Sequence, residues 1–446
     1  MQKRIIAAVS VFLSVLLLLS FAAVGASALE GPSTERVGAA FLYNLENEKE
    51  IFAHEADTVK YPSAAVKIMT SVVAYEALCD RMDEKITVTR EMIAESRGNY
   101  IAIEPGERIS VRDLFYAMLL KGANDATYVL VHTAYGSTEA FVSEMNRRAG
   151  ELGMSATYYT NPTGMHDASM VTTARDQAKA ARLFCSYPEL LSMSSTPKHT
   201  IEETADCIER NIYTRNAFIS KLNSMGTIEY YYPHAKGVMY GSTEEGGDSF
   251  VTLCERDGLS YICVILGGEQ DEREHIYAFD AAKSLCSYAL DGYGYVKVLG
   301  TDKLVYDIPV ELSEKTDKVM LVPSKEIKAF LPVDVSFEDD ISYSYTLTNE
   351  KLTAPVAAGM EAGHISVYYR DELLGTVTLV TQNEVEKSAF LSALEGIKKF
   401  TQSKFFICTA IALVVVTVGF VLFNGYRREK RRRRNTRPRS YMGGRR

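Results

Sequence analysis

Pro62-Ser63-Ala64-Ala65-Val66-Lys67-Ile68-Met69-Thr70 opens a stretch in which the apolar residues Ile68, Val72, Tyr75 and Cys79 recur at intervals of three and four. That period predicts a helix with one buried face. A lysine in such surroundings is costly unless a polar group meets it, which makes Lys67 the first candidate for chemistry. A hydroxyl three or four residues away on the same helix would share the face of this amine and be placed to hand it a proton. Three residues back stands Ala64, which carries no nucleophile, and four back stands Ser63. The shift from 64 to 63 turns a side chain by about 100° around the helix, so Ser63 reads as a helix cap or solvent contact ahead of a displaced nucleophile.

Upstream, Val37-Gly38-Ala39-Ala40-Phe41-Leu42-Tyr43, a turn through Glu46-Asn47-Glu48 and Ile51-Phe52-Ala53 predict a β-hairpin. Downstream, Ser110 with Asp113 predicts the capped start of a helix through Leu120, followed by another helix from Asp125. The runs 249–254 and 259–266 flank Asp257-Gly258, the strongest short hairpin signal in the chain. Strands at both ends of residues 30–292 with helices between them predict an α/β (α+β) domain whose central antiparallel sheet joins the two sequence ends. From Tyr295 to Thr381, short β-rich runs broken by Asp, Gly and Pro predict a small all-β domain. Residues 384–404 follow as an amphipathic stalk.

Lys3 and Arg4 precede an apolar run that ends in Ala26-Ser27-Ala28, the pattern of a signal peptide over residues 1–28. Phe405 to Phe423 is uncharged and apolar, and at about 1.5 Å per residue it spans a hydrocarbon core of about 30 Å as one transmembrane helix. Residues 424–446 hold ten arginines and Lys430 against Glu429 alone, which by the positive-inside rule keeps this tail cytoplasmic and the main domains extracytoplasmic. With +10 in the tail and +2 in the leader, the net −8 of the chain leaves −20 for residues 29–423. An ectodomain this acidic argues against nucleic acid as a partner. The seven cysteines show no metal-like spacing and read as free buried thiols rather than a disulfide framework. The scattered histidines give no support to a metal site, and nothing calls for a cofactor.

Two further blocks complete the pattern. Gly122-Ala123-Asn124-Asp125-Ala126 lies at a predicted helix start, and Gly237-Val238-Met239-Tyr240-Gly241-Ser242-Thr243 precedes the strand pair. Asn161-Pro162-Thr163-Gly164-Met165-His166-Asp167, with Thr173-Ala174-Arg175-Asp176 after it, accompanies them. In order and separation these blocks resemble those of the D-alanyl-D-alanine carboxypeptidases among the low-molecular-mass penicillin-binding proteins, over most of residues 30–385. The resemblance implies a penicillin-recognising serine transferase-like domain over 29–293, an all-β domain over 294–383 and membrane attachment beyond. It also implies the removal of terminal D-alanine from peptidoglycan stem peptides through a serine acyl-enzyme.

Residue by residue, the resemblance is incomplete. The family's Pro-Ala-Ser-x-x-Lys has become Pro62 to Lys67, with Ala64 in the nucleophile slot. Its Ser-x-Asn-Asp-Ala has Gly122 for the serine that relays a proton; Asn124, which holds the lysine and substrate backbone, is kept, although an N-cap role explains Asn124 and Asp125 as well. Its Gly-x-Lys-Thr-Gly-x-Thr has Met239 and Tyr240 for the pair that binds the substrate carboxylate, with Gly241 kept. Lys236 is a poor substitute three residues away, and His166 reads as a structural hydrogen-bonding residue rather than a base.

Four side chains lost from three separated blocks imply a common cause. The leading expectation is a membrane-anchored pseudoenzyme that binds a peptidoglycan stem peptide or a cell-wall protein. The alternatives are an active carboxypeptidase using Ser63 with Lys67, and a binding module seated in the β domain and stalk.

Overall fold

The structure, a computed structural model, describes residues 31–435, with side chains to Arg432. The expected leader and the end of the basic tail lie outside the described residues. The chain divides into two compact units, one ending at Val296 and taking in Phe330–Val335, the other made of Lys297–Ala329 and the chain from Ser336.

The first unit is built on a five-stranded antiparallel sheet. Its strands are β1 (Ala39–Asn44) and β2 (Lys49–His54), then, beyond two small ribbons of β3 (Lys85–Thr87) with β4 (Arg108–Ser110) and β5 (Lys198–Ile201) with β6 (Arg210–Tyr213), β7 (Ala235–Thr243), β8 (Gly247–Arg256) and β9 (Leu259–Gly268). The order β2-β1-β9-β8-β7 places the first strand beside the last, as the sequence pattern predicts. Asp257 and Gly258 both have positive φ, 54° and 80°, and Arg256 pairs with Leu259 across them. This is the two-residue turn whose twist suits adjacent antiparallel strands.

Both sheet faces are buried, so the strands read as continuous apolar runs. Phe41, Val251, Leu253, Ile262 and Val264 pack on one side beneath α1 (Val66–Leu78), α2 (Val111–Tyr116), α3 (Asn124–Tyr135), α4 (Thr138–Glu151), α5 (Ala174–Cys185) and α6 (Pro188–Ser194). Leu42, Phe250, Tyr261 and Ile265 pack on the other beneath α7 (Tyr277–Gly292). Four of the seven cysteines, Cys207, Cys254, Cys263 and Cys286, are buried, and all seven are free thiols.

Three expectations need correction. Helix α1 does not have one buried face: Val66 to Ala74 are buried without a break, because the helix runs through the middle of its layer. Ser110 does cap α2, its hydroxyl accepting from the Asp113 N–H, but the helix then widens into a π-turn over Ala117–Lys121 and ends at Gly122 with φ of 70°. Asn124 is the first residue of α3 and caps nothing; Ala123 holds the cap position.

The second unit carries a six-stranded sheet in the order Ile341–Leu347, Glu361–Tyr369, Glu372–Thr381, Lys318–Pro323, Tyr306–Glu311, Leu352–Thr353. Ser388 caps a helix over Ala389–Gln402 whose Phe390, Leu394, Ile397 and Phe400 form one exposed apolar stripe. Lys404–Asn435 is a single helix containing a stretch long and apolar enough to cross a membrane.

Phe279 of α7 meets Tyr240, Phe250 and Tyr230 with ring centroids at 4.6, 4.8 and 4.9 Å, and so centres one of the two cores. Phe279→Ala is expected to cost about 3–5 kcal/mol, read as a lower denaturant midpoint at unchanged slope.

Candidate functional site

A cavity of about 140 Å³ lies where the start of α1, the start of α3 and the edge strand β7 converge. Ala64, Lys67, Gly122, Asn124, Tyr240 and Gly241 all line it. The structure therefore brings together six of the eight site residues picked from the sequence. Ser63 and Met239 are not in its lining.

Ser63 opens a short 3-10 turn, Ser63–Ala65, in the left-handed region with φ of 45°. Such a backbone is strained for serine and persists only where the surroundings impose it. Its hydroxyl shares a hydrogen bond of 2.8 Å with the Thr243 hydroxyl and donates to the Gly247 carbonyl at 3.1 Å; the residue is 2% exposed. It is thus neither the helix cap nor the solvent contact that the sequence suggests. Pro62 holds the cap position, without a side-chain bond.

The strained turn presents Ala64 to β7. A side chain on Gly241 would bring its Cβ to 2.6 Å from that of Ala64, so the close approach needs glycine there. Ser249 ties the two segments: its hydroxyl accepts from the Ala65 N–H and donates to the Gly241 carbonyl, both at 3.2 Å.

One turn on, Lys67 is 4% exposed and its amine donates to the Thr163 carbonyl. That carbonyl is held by its own loop. Asn161 Oδ1 accepts from the N–H groups of Thr163 and Gly164, Asn161 Nδ2 donates to the Met165 carbonyl, and the Thr70 hydroxyl donates to the Pro162 carbonyl. Burial, and secondarily the charge of Arg215, pulls the Lys67 amine down from the usual 10.5 to about 7. A good part of the amine is thus neutral near pH 7, a base one helical turn from Ala64, whose side chain carries no hydroxyl. His166, by contrast, is exposed and makes an edge contact with the Tyr61 ring at 4.7 Å, not the hydrogen bond expected of it.

Asn124 contributes an unmet acceptor. Its amide nitrogen donates to the Arg97 carbonyl, which can only accept, and this fixes the orientation of the group. The Oδ1 atom is left buried with no donor. A buried acceptor without a donor costs about 1–3 kcal/mol, and the residue that carries it lines the cavity. Its neighbour Asp125 faces elsewhere, accepting from the N–H groups of Ile101 and Ile103.

On β7, Met239 is buried in the core beneath the helices, and Tyr240 lies largely in the core beneath α7. The Tyr240 hydroxyl donates to Asp248 at 3.1 Å, and burial raises that carboxyl to about 6 against the hydrogen bonds from Gln270 and Tyr240. Lys236 pairs with Glu255 at the far side of a register shift and does not reach the cavity. Besides Lys67, Arg215 lines the cavity, and sequence reasoning missed it because no motif marks it. Its backbone N–H is held by the Leu120 carbonyl at 2.8 Å; its guanidinium lies 5.9 Å from the Tyr240 ring centre, and its charge acts on the Asp248 carboxylate. Among the described residues no group of three metal-ligating side chains occurs.

Comparison with known proteins adds the following. Residues 27–270 match the family model described as D-alanyl-D-alanine carboxypeptidase, and residues 293–387 match that of the penicillin-binding protein 5 C-terminal domain. The chain is 22% identical over 401 residues to the D-alanyl-D-alanine carboxypeptidase DacF of Bacillus subtilis, covering 88% of this chain and 97% of that one. It is 25% identical over 404 residues to the D-alanyl-D-alanine carboxypeptidase DacC of Escherichia coli, covering 87% and 93%. Among solved structures, the carboxypeptidase DacD of Francisella tularensis matches with a TM-score of 0.56 at 20% identity, over 81% of this chain and 97% of that one.

The buried amine gives a pH test. Between pH 7 and 10.5 the unfolded chain holds a proton on Lys67 that the folded chain has lost, so unfolding free energy rises with pH across that window. The rise is on the order of 4–5 kcal/mol, and the full cost is present below pH 7. Lys67→Met is expected to abolish this slope in urea titrations at pH 7 to 9.5; a slope identical to that of the unaltered protein would contradict the assignment.

Proposed function

The chain belongs to the D-alanyl-D-alanine carboxypeptidase family, and on that premise we propose that it is a member acting in peptidoglycan metabolism that binds wall peptide without cleaving it. One observation carries this reading. The cavity is lined by Lys67 and Asn124, the residues that by resemblance hold the peptide, while Ala64 beside them offers only a methyl group. Without a nucleophile, acyl transfer keeps only the residual contribution of binding and polar stabilisation. Gly122 and Met239 extend the loss, since neither can relay a proton or pair with a carboxylate.

The alternative of Ser63 as nucleophile finds no support in its surroundings. Its hydroxyl is shared with Thr243 and Gly247 and lies outside the cavity lining, so attack on a bound carbonyl would require breaking both bonds and turning the strained residue. The helix Lys404–Asn435 supports anchoring by a single membrane span. The basic residues that follow it, against −20 over residues 29–423, support a cytoplasmic tail and an extracytoplasmic main body.

Full-length protein in detergent is expected to bind soluble stem-peptide fragments of peptidoglycan by calorimetry, with no free D-alanine released on prolonged incubation. Asn124→Leu, which removes the orphaned acceptor, is expected to weaken that binding about tenfold with folding intact by circular dichroism. Release of D-alanine at a steady rate would overturn the proposal.

A further inference from the structure

The strand Ile341–Leu347 is an edge of the six-stranded sheet in the second unit, and it pairs with Glu361–Tyr369 on one side. On its other side no strand meets it among the described residues, and Ser342, Ser344, Tyr345 and Thr346 are exposed. An open edge offers a row of backbone N–H and C=O groups to another chain, and proteins usually blunt it with charge, proline, a bulge or shortness. The opposite edge of this sheet, Leu352–Thr353, is blunted by its length of two residues. Ile341–Leu347 has none of these devices. Its seven residues, ISYSYTL, include no charge and no proline, and its register with Glu361–Tyr369 runs without a bulge.

The order of side chains on this edge matches itself when reversed. Turned about Ser344, Ile341 faces Leu347, Ser342 faces Thr346 and Tyr343 faces Tyr345. Directly opposed residues of an antiparallel pair share a face, so this pairing sets aliphatic on aliphatic, hydroxyl on hydroxyl and ring on ring. Neighbouring registers lose that match. Centred on Tyr343, Leu347 would face Asp339 and Thr346 would face Asp340; centred on Tyr345, Ile341 would face Asn349. The rings are also held in advance. The Tyr343 hydroxyl donates to the Val298 carbonyl at 2.9 Å, and Tyr345 lies against Tyr306 with ring centroids 5.3 Å apart, so little side-chain freedom remains to be lost on pairing.

We infer that this edge is a self-association surface, at which two copies of the chain pair Ile341–Leu347 antiparallel about a two-fold axis at Ser344 and join their sheets into one. Such an interface uses the same patch on both copies and closes as a dimer, since each open edge is consumed. An extended segment of another protein would add to the edge through the same backbone bonds, but the self-matching order of side chains favours a second copy. One strand pair is a small interface by the standard of stable complexes. Copies anchored in one bilayer by the span proposed above are held at high local concentration, where a small contact suffices.

The test uses the full chain in lipid vesicles, with its exposed thiols Cys79 and Cys408 replaced by serine. Ser344→Cys puts a thiol on the axis, where the two Cβ atoms lie about 4.5–5.5 Å apart, within reach of a disulfide once copper phenanthroline is added as oxidant. The thiols of Ser342→Cys lie about 13 Å apart along the strands. Ser344→Cys is expected to give about tenfold more linked dimer than Ser342→Cys. Ser344→Lys sets two like charges face to face at an exposed position; it is expected to abolish energy transfer between two dye-labelled populations of the chain, with folding intact by circular dichroism. Equal linking at the two positions, no linking through Ser344→Cys, or energy transfer that survives Ser344→Lys would overturn the inference. Oxidation of Ser344→Cys in cell membranes that yields a species of other than twice the mass of the chain would overturn the choice of a second copy.

Discussion

A lysine amine held out of water in the middle of a helical layer is the constraint around which the first unit is arranged. Helix α1 is enclosed along its first two turns, so Lys67 cannot reach solvent by extending its side chain, and it needs an acceptor brought to it. The Asn161–Met165 loop does this, folding on its own asparagine so that the Thr163 carbonyl faces the amine. Gly164 sits where any side chain would collide with the Ser63 carbonyl, its Cβ coming within 2.0 Å of that oxygen, so the same loop presses against the strained turn that presents Ala64. Lysine, loop and turn form one interlocked piece. An apolar residue at position 67 would remove its cost in stability, which makes retention of the lysine hard to explain as packing alone.

The positions that depart from the family pattern are each absorbed by ordinary structural roles. Gly122 ends a helix in the left-handed region, where it carries no strain and a serine would. Met239 fills the core under the helices, and Tyr240 joins the aromatic core under α7 with its hydroxyl on Asp248. Ala64 packs on Gly241. Two of these, Met239 and Tyr240, now contribute to packing, so restoring the family side chains would remove packing as well as add polar groups.

The fold was legible in the sequence because its signals are local. Asp257-Gly258 defines a turn by backbone geometry alone, and the three motif blocks mark the two helix starts and the edge strand that surround the cavity. What local pattern could not convey was contact across the chain. The partners of Ser63, Thr243 and Gly247, lie 180 and 184 residues away, so its satisfied and buried state has no trace near position 63. Helix α1 shows a three-four period, but only the packing of neighbouring helices and β7 closes its remaining faces. Arg215 belongs to no motif, and its backbone N–H is held by the Leu120 carbonyl, a contact across the chain with no local trace. Period and spacing say which face a residue takes, and they do not say what will be opposite it.

The central claim is that a binding site persists where acyl transfer has been lost, and the direct measurement is intact-protein mass spectrometry after incubation with a penicillin. The account predicts an unchanged mass, since Ala64 offers no oxygen to acylate and the Ser63 hydroxyl is held away from the cavity. A mass increase of one penicilloyl group that disappears on Ser63→Ala would contradict it.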